Sequence, residues 1–488
     1  MERRKFLGLV SRTAVGLAIP GIANAICPPR NLRVQGGTAT PSSPCPAGAP
    51  RYVATHYATA TATGSGNGSL QNPWTLAQAF TNAISGNVVR VAPGIYEAPT
   101  RDDGLAPAFR PSHHGTAASP IVFFAQYPAA TEQSSANWTR IRRTGAETSP
   151  VMGAGGENAY RSHIIFDGFY FHYNEGAAPT PRGIVYLGFG NTGNKVRRCR
   201  FDRVNLGAND NGDNYNCIQI HGSSDAEISD NLFNNGYDAA GHHNESCITT
   251  YGALGFVIEN NTFRNVSTGI FIKGSMGDNG NQGRIRRNRF EGFRSGVELT
   301  ENEDGGTVEV AQNLFCEWGL TNSAAAIIFE NSVALQHRNF VVHHNTIIVP
   351  ASGGAVGSVG LTPGIDMTGN AFRDNLVVCL VAGNTQVLIN ASEVASLAPF
   401  GTRWDHNVYY NNGATPTFSL NGVTYTGLAA WRAASGRDAN ALVTAVQFVN
   451  TTDYRLLSNG QPALTASSSS GPVGCYITGN ETIGLRTS

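Results

Sequence analysis

The chain has 488 residues, of which 41% are hydrophobic and 14% are charged, with 34 basic and 34 acidic side chains. This is enough apolar material for one or two large folded units, and the balanced charge argues against a nucleic-acid binder. The 57 glycines, together with abundant asparagine, indicate many turns and left-handed backbone positions and argue against an all-helical protein.

Residues 1–25 have the pattern of an export signal. Arg3, Arg4 and Lys5 precede a moderately apolar run, and the segment ends in Ala23-Asn24-Ala25. This resembles a twin-arginine signal peptide cleaved after Ala25, so we expect a periplasmic or extracellular protein with no membrane anchor after cleavage. A short membrane anchor is the alternative, but the run is shorter than a full membrane span.

Lysine is rare in this chain. The three lysines are Lys5, Lys195 and Lys273, and every other basic residue is an arginine. Removing residues 1–25 takes away four basic groups and one acidic group, which leaves a net charge of about −3 and two lysines. A lysine is informative here because its amine, unlike a guanidinium, can lose its proton and act as a base.

Residues 26–50 form a leader rich in proline, serine and glycine. Cys27 and Cys45 lie in this leader and are the first candidate disulfide pair, since an exported protein permits disulfides. No CxxC motif and no paired Cys/His spacing in the chain indicates a zinc site.

One short pattern, apolar-x-x-Asn-x-apolar, recurs along the middle of the chain at intervals of about 25 to 32 residues. Its asparagines are Asn231, Asn261, Asn288, Asn313, Asn345, Asn375 and Asn407, with Cys199 at the equivalent position of an earlier copy. Each interval is long enough for three short strands and their turns. An asparagine in a bent backbone position can pair its amide with the coil above and the coil below.

A second strand with alternating apolar residues follows most copies of this pattern. These strands are predicted at 183–187, 217–221, 247–251, 269–273, 296–300 and 326–330. Their second and fourth residues are expected to face inward as an apolar column, and their third and fifth residues to face solvent. Together with the asparagine repeat, this pattern predicts an all-β protein, a right-handed parallel β-helix.

The repeats resemble those of the pectate-lyase-like parallel β-helix superfamily, over nearly all of residues 51–470. The resemblance implies an N-terminal cap at 51–100 with a short amphipathic helix around Trp74 to Ile84. The β-helix is expected at 101–412, followed by a C-terminal cap and tail at 413–488. The superfamily contains lyases, hydrolases, epimerases and adhesins, so the fold alone does not determine the activity.

The outward positions of the second strand carry the candidate functional residues. His221, Tyr251 and Lys273 occupy the fifth position on adjacent coils, about 4.8 Å apart. An imidazole, a phenol and an amine in one row could abstract a proton next to a carbonyl and protonate a leaving oxygen. Glu298 lies on the coil after Lys273 and completes the catalytic candidates. The alternative is that Lys273 only pairs with Glu298 on a polar face.

A second set of candidates is expected to contact substrate beside this row. The set consists of Gln219, Thr249, Phe271, Thr300, Glu330 and His243.

Acidic and asparagine-rich loops flank the row. Asp210 and Asp213 precede the His221 strand, and Glu245 precedes the Tyr251 strand. Such oxygen ligands could hold Ca²⁺, which in β-helix lyases neutralises the substrate carboxylate. The alternative is that these loops are Asx-rich turns that only join strands, and their spacing is not that of an EF-hand.

The sequence therefore predicts a secreted polysaccharide lyase that cleaves an acidic, uronate-containing polysaccharide by β-elimination. Lys273 would be the base, Tyr251 or His221 the proton donor, and Ca²⁺ or an arginine would neutralise the carboxylate. Some β-helix lyases place Arg-His-Gly on the coil after such a lysine, whereas this chain has Thr300-Glu301-Asn302.

Two other functions remain open. Glu298 and Glu330 are predicted to lie about 8 Å apart, which suits an inverting glycoside hydrolase. A non-catalytic, carbohydrate-binding surface protein is the other alternative. In each case we expect a monomer with no nucleic-acid partner.

Overall fold

The computed structural model describes residues 52–99, 106–143, 149–155, 160–172, 183–202, 215–236, 245–274, 280–300, 302, 306–316, 325–330, 337–349, 354–359, 366–381, 387–391 and 397–486. The chain divides into two units, Met1–Val53 and Ala54–Ser488. The predicted signal segment, the leader, Cys27 and Cys45 all lie outside the described residues. In the ranges above, no helix has the length and apolar character needed to cross a membrane.

The second unit is a parallel β-helix, as predicted. Within the described residues, one 12-stranded sheet contains one strand from each coil, a coil being one full circuit of the solenoid. All neighbours in this first sheet pair in parallel. Its strands are His56–Ala58, Val88–Val91, Ile121–Ala125, Ile164–Asp167, Lys195–Arg197, Glu227–Ser229, Phe256–Glu259, Gly283–Arg286, Val308–Ala311, Phe340–His343, Ala371–Arg373 and Trp404–Asp405.

A second sheet of 21 described strands forms the rest of the wall and contains two strand columns. In two coils the columns join, so that Thr262–Lys273 and Arg289–Thr300 each run through both. Column one also contains Gly94–Glu97, Thr139–Arg142, Tyr170–His172, Arg200–Asp202, Leu232–Gly236, Leu314–Cys316, Thr346–Val349, Leu376–Cys379, Val408–Asn411 and Leu442–Val443. Column two also contains Met152–Gly153, Val185–Leu187, Tyr215–His221, Glu245–Tyr251, Ala325–Glu330, Gly354–Val359, Val387–Ala391, Thr417–Leu420 and the antiparallel Val423–Thr426.

The repeated asparagines form a continuous buried ladder, as predicted. From Asn231 to Asn407, the side-chain Nδ2 of each asparagine donates to Oδ1 of the next one at 2.9–3.2 Å. Each Oδ1 also accepts the backbone N–H of the preceding coil's ladder residue, beginning with that of Cys199. The ladder therefore satisfies the polar groups that the turns bury.

The left-handed backbone position lies one residue earlier than predicted. The residue before each ladder asparagine has a positive φ, as at Asp230 (57°) and His344 (50°), while the asparagine itself does not. The asparagine side chain is thereby free to point along the solenoid axis and to join the ladder.

Stacked phenylalanines fill the interior behind column one. Phe171, Phe201, Phe233, Phe263 and Phe290 each lie 4.6–5.0 Å from the ring on the following coil, with nearly parallel planes. This distance matches the spacing between adjacent parallel strands. Offset aromatic stacking therefore repeats at the same interval as the backbone pairing, and both stabilise the same register.

Two α-helices are present in the described chain. The first, Leu76–Asn82, lies within the range predicted for the capping helix and starts with a capping box between Thr75 and Gln78. The second, Leu428–Ser435, buries Trp431 against the last coils. Short 3₁₀ helices occur at Ser135–Asn137, Ala398–Arg403 and Pro462–Leu464, and Leu442–Val443 is the last parallel strand.

The chain after the last coil turns back along the outside of the solenoid. Residues 445–486, which we call the C-terminal strap, bury apolar side chains such as Val473 and Tyr476 against outward residues of column one, including Leu376 and Val408. The strap contacts the coils in reverse order. Its backbone bonds to Asp374 and Thr346 first and to Arg287 later.

Candidate functional site

The predicted row of His221, Tyr251 and Lys273 is present in column two. Backbone pairing places these residues opposite one another on three adjacent coils. The ring centroids of His221 and Tyr251 are 5.2 Å apart, and Nζ of Lys273 lies 5.8 Å from the Tyr251 ring centroid. His221 and Lys273 are half-buried, whereas Tyr251 is only 8% exposed. The imidazole and the amine are therefore the accessible groups of this row.

The neighbouring row, at the third position, points outward but is buried. Gln219, Thr249, Phe271 and Glu298 pair in register, and each is 1–5% exposed. The prediction that these positions face solvent was wrong. Side chains at equivalent positions lie only about 4.8 Å apart, so large neighbours such as Phe271 cover the groups beside them.

The first strand of the predicted series is shifted by one residue. Tyr186, rather than Val185, pairs with Gln219, and Leu187 pairs with Ile220. Leu187 therefore packs in the core instead of beginning the row of fifth positions, because a slip of one residue exchanges the two faces of a strand. The shift brings the Tyr186 hydroxyl to 3.5 Å from Nδ1 of His221.

A buried polar cluster lies beside the row on the outer wall. Oδ1 of Asn216 accepts hydrogen bonds from the hydroxyls of Ser246 (2.7 Å) and Thr249 (2.6 Å). Gln219, on the same strand as Asn216, keeps its Oε1 buried without a hydrogen-bond partner. The hydrogen bonds of Asn216 join the two adjacent strands that carry His221 and Tyr251.

Glu298 lies in a buried, partly basic environment. Burial raises the pKa of its carboxyl, and the nearby Arg294, hydrogen bonds from Ser295 and Thr268, and the charge of Lys273 oppose that rise. Oγ1 of Thr268 donates to Oε1 of Glu298 at 3.0 Å. The carboxyl is therefore held by its own coil and the preceding one, away from bulk water.

Sequence reasoning missed Arg294. This arginine is only 5% exposed and belongs to the same strand as Glu298. Arg294 lies two residues before Gly296, where the predicted strand begins, so the repeat gave no signal for it. An arginine is rarely buried this deeply unless its guanidinium group is paired.

Thr300 and Glu330 continue the fifth-position row beyond Lys273. Thr300 pairs with Glu330, and its hydroxyl donates to the backbone carbonyl of Ile272 at 2.9 Å. Thr300 is fully buried, so the prediction that it faces solvent was wrong, whereas Glu330 is half-buried. Glu298 pairs with Ile328, which gives the predicted two-residue offset from Glu330.

The predicted calcium ligands lie mostly beyond the described chain. Asp210, Asp213 and the substrate-binding candidate His243 are outside the described residues, and Glu245 is described only as the start of its strand. Within the described part of the chain, no group of three or more His, Cys, Asp or Glu side chains is arranged to hold a metal ion.

Lys195, the other lysine outside residues 1–25, has a structural role. Its Nζ lies 2.8 Å from Oε2 of Glu227, which also binds Arg197 at 2.8 Å. Burial raises the pKa of the Glu227 carboxyl, but these two basic neighbours outweigh burial and lower the pKa to about 2. Lys195 is thus part of an ion-pair network on the first sheet, on a different wall from Lys273.

Comparisons with known proteins give matches only among solved structures. No protein-family model matches this chain. No curated protein matches it either.

The solved structures that resemble this chain include several polysaccharide lyases. The pectate lyase Pel9A is 16% identical over 70% of this chain and 82% of its own, with a TM-score of 0.40. A PL6 family polysaccharide lyase from Pseudopedobacter saltans is 12% identical over 85% and 97%, with a TM-score of 0.44. A rhamnogalacturonan lyase is 14% identical over 71% and 91%, with a TM-score of 0.38. At these identities the likeness concerns the fold, so the activity has to be argued from the residues.

Proposed function

We propose that the protein is an exported polysaccharide lyase that cleaves an acidic, uronate-containing polysaccharide by β-elimination. The observation that supports this most directly is the half-buried amine of Lys273 next to the phenol of Tyr251, on the outer wall of the solenoid. A row of side chains parallel to the solenoid axis suits an extended polymer, because successive coils meet successive sugar units.

Lys273 and Tyr251 would share the two proton transfers of the reaction. The Lys273 amine removes the proton next to the uronate carboxyl group. The electron pair of the broken C–H bond forms a C=C bond, and the bond to the glycosidic oxygen breaks. Tyr251 would then give its proton to that leaving oxygen, a step that requires its buried hydroxyl to turn toward the substrate. His221 lies two coils from Lys273, about 10 Å away, which is too far to act on the same bond.

Glu298 would influence the charge of the site rather than contact the substrate. Burial raises the pKa of this carboxyl and so favours its neutral form. A shift toward the neutral form lowers the negative charge beside Lys273, on the wall that an acidic polymer has to approach. Arg294 and Thr268 hold the group in place.

The paired-carboxylate alternative fits the geometry less well. An inverting hydrolase needs two carboxyl groups that both reach the sugar and a water molecule. Glu298 is 4% exposed and already accepts a hydrogen bond from Thr268. The burial of Glu298 therefore argues against hydrolysis by the pair Glu298 and Glu330.

Substitution of the two lysines tests the proposal with a matched control. We expect wild-type protein to release an unsaturated, ultraviolet-absorbing product from at least one of alginate, pectate or a glycosaminoglycan. Lys273→Ala should lower turnover by about 100-fold or more, because proton abstraction loses its base. Lys195→Ala removes an ion pair on the first sheet and should leave turnover near wild type.

Three results would contradict the proposal. Near-full turnover in Lys273→Ala would remove the assigned base. New reducing ends without the ultraviolet signal would indicate hydrolysis, and binding without cleavage would indicate a carbohydrate-binding surface protein.

Calcium and export are separate parts of the proposal. Ca²⁺ would be held by the acidic residues that precede the site strands, Asp210, Asp213 and Glu245, and would neutralise the uronate carboxylate. Loss of activity in a chelator, restored by added Ca²⁺, is the expected result. Export by the twin-arginine route predicts that Arg3→Lys with Arg4→Lys retains the protein in the cytoplasm.

A further inference from the structure

An aromatic residue outside the predicted site extends the outer row away from Lys273. Phe189 follows the strand Val185–Leu187, one coil before His221. The two ring centroids are 4.0 Å apart with a tilt of 47°. The order along the axis is therefore Phe189, His221, Tyr251 and Lys273, one residue per coil.

The backbone beneath Phe189 lets its ring pack closely against the chain. Gly222 has φ = 58°, and a Cβ at this residue would come within 2.3 Å of Cδ1 of Phe189. Only glycine lets the ring lie this close to the chain. His221, which contacts the same ring, is in turn approached by the Tyr186 hydroxyl at 3.5 Å. Both outer rings thus pack against the protein on one side.

Phe189 and His221 also remain accessible, since both are half-buried while Tyr251 is buried. A pyranose ring has one face of C–H groups that packs well on the negative face of an aromatic ring. Because both rings already pack against the protein, binding to them costs little side-chain entropy. Phe189 lies three coils, about 14 Å, from Lys273, so the same sugar unit cannot contact both.

We propose that Phe189, together with His221, is a stacking platform for a pyranose unit of the polymer, remote from the unit that is cleaved. This inference rests on the proposed function for the identity of the polymer, but not for the stacking itself. The platform would hold the chain along the solenoid axis and set its register relative to Lys273.

Binding of two oligosaccharide lengths tests the platform. The probes are a disaccharide and a hexasaccharide of the polymer that the protein cleaves, or of alginate and pectate if it cleaves none. Titration calorimetry in the Lys273→Ala background measures binding without turnover. Phe189→Ala should weaken hexasaccharide binding by about tenfold and leave disaccharide binding unchanged, and Phe189→Trp should restore it.

Two controls separate stacking from a folding defect. Tyr127 is an exposed aromatic residue on a turn that follows the first-sheet strand Ile121–Ala125, and Tyr127→Ala should not change binding. Phe189→Ala should also keep the wild-type melting temperature. The single variant Phe189→Ala, with Lys273 intact, should show a raised KM for long substrate and an unchanged kcat.

The outcomes separate this inference from the lyase proposal. If Phe189→Ala weakens the binding of both oligosaccharides equally, or changes the binding of neither, the platform is overturned even if elimination is observed. Hexasaccharide binding that depends on Phe189 supports the platform even if no polymer is cleaved, in which case only the lyase proposal fails.

Discussion

Asp438 ends the asparagine ladder by accepting a hydrogen bond from Nδ2 of Asn407 at 2.9 Å. Its other oxygen accepts bonds from Trp404, Tyr409 and Trp431 at 2.8–3.1 Å. The carboxyl is fully buried, and burial raises its pKa from 3.8 to about 6 even though these donors favour the charged form. The ladder thus ends on a carboxyl group that accepts hydrogen bonds through both of its oxygens.

The raised pKa makes the stability of the protein depend on pH through Asp438. The folded state binds this proton more tightly than the unfolded state, so its contribution is fully present below about pH 4 and declines as pH rises to about 6. The shift corresponds to roughly 3 kcal/mol. Asp438→Asn does not titrate, so wild-type stability should fall relative to the variant between pH 4 and 6.

Melting temperatures at several pH values measure this difference. The exposed variant Asn480→Ala changes no titratable group, so it serves as the control and should show a nearly constant difference from wild type. A constant difference for Asp438→Asn as well would mean that Asp438 has an ordinary pKa.

Removing one amide from the middle of the ladder should be costly. Asn288 accepts from the backbone and side chain of Asn261 and donates to Ile258 and Asn313, all at 2.9–3.0 Å. Asn288→Ala leaves several of these buried groups without partners and should lower the free energy of unfolding by about 3–5 kcal/mol.

Denaturant unfolding measures the loss. Asn480 is exposed, and Asn480→Ala should change the free energy of unfolding by less than about 0.5 kcal/mol. A comparable small change for Asn288→Ala would show that the ladder contributes little to stability.

Two adjacent threonines should respond in opposite ways to the same substitution. Thr250 points into the core, where its hydroxyl has no hydrogen-bond partner, whereas the Thr249 hydroxyl donates to Oδ1 of Asn216 at 2.6 Å. Valine has nearly the same shape without the hydroxyl. Thr250→Val should be neutral or stabilise by about 1 kcal/mol, and Thr249→Val should destabilise by about 1–2 kcal/mol. Equilibrium unfolding of the pair gives the comparison, and equal effects would be the contrary result.

The end of the C-terminal strap should be coupled to the middle of the solenoid. Nε of Arg486 lies 2.5 Å from Oδ1 of Asp230, and Asp230 is 3% exposed. A double-mutant cycle with Arg486→Ala and Asp230→Asn should give a coupling energy of about 1–2 kcal/mol. Asparagine suits position 230 because this residue has φ = 57°. Additive effects of the two substitutions would show that the pair contributes nothing.

The periodic part of the fold could be predicted from the sequence. Identical residues at each coil, such as Asn261 and Asn288, occupy identical environments, so a repeat in the sequence directly gives a repeat in space. The order of His221, Tyr251 and Lys273 followed from the same regularity.

The predictions were wrong where a position depends on its neighbours in space. The strand Val185–Leu187 pairs one residue away from the predicted register. Gly183 lies opposite Asn216, whereas the prediction placed it opposite Cys217. The burial of Glu298 and Thr300 depends on what covers the outer wall, and no periodicity carries that information. Phe189 and Arg294 lie outside the repeat and were missed for the same reason.

The C-terminal strap also changes how the protein is expected to unfold. A solenoid without it behaves as a one-dimensional array in which each coil stabilises only its neighbours, so that its ends can fray independently. The strap ties the last coils to those around Asp230 and Asn260, many coils away along the chain. Its contacts can form only after the coils from Asp230 to Val408 have stacked, so release of the strap and melting of these coils should be a single cooperative event.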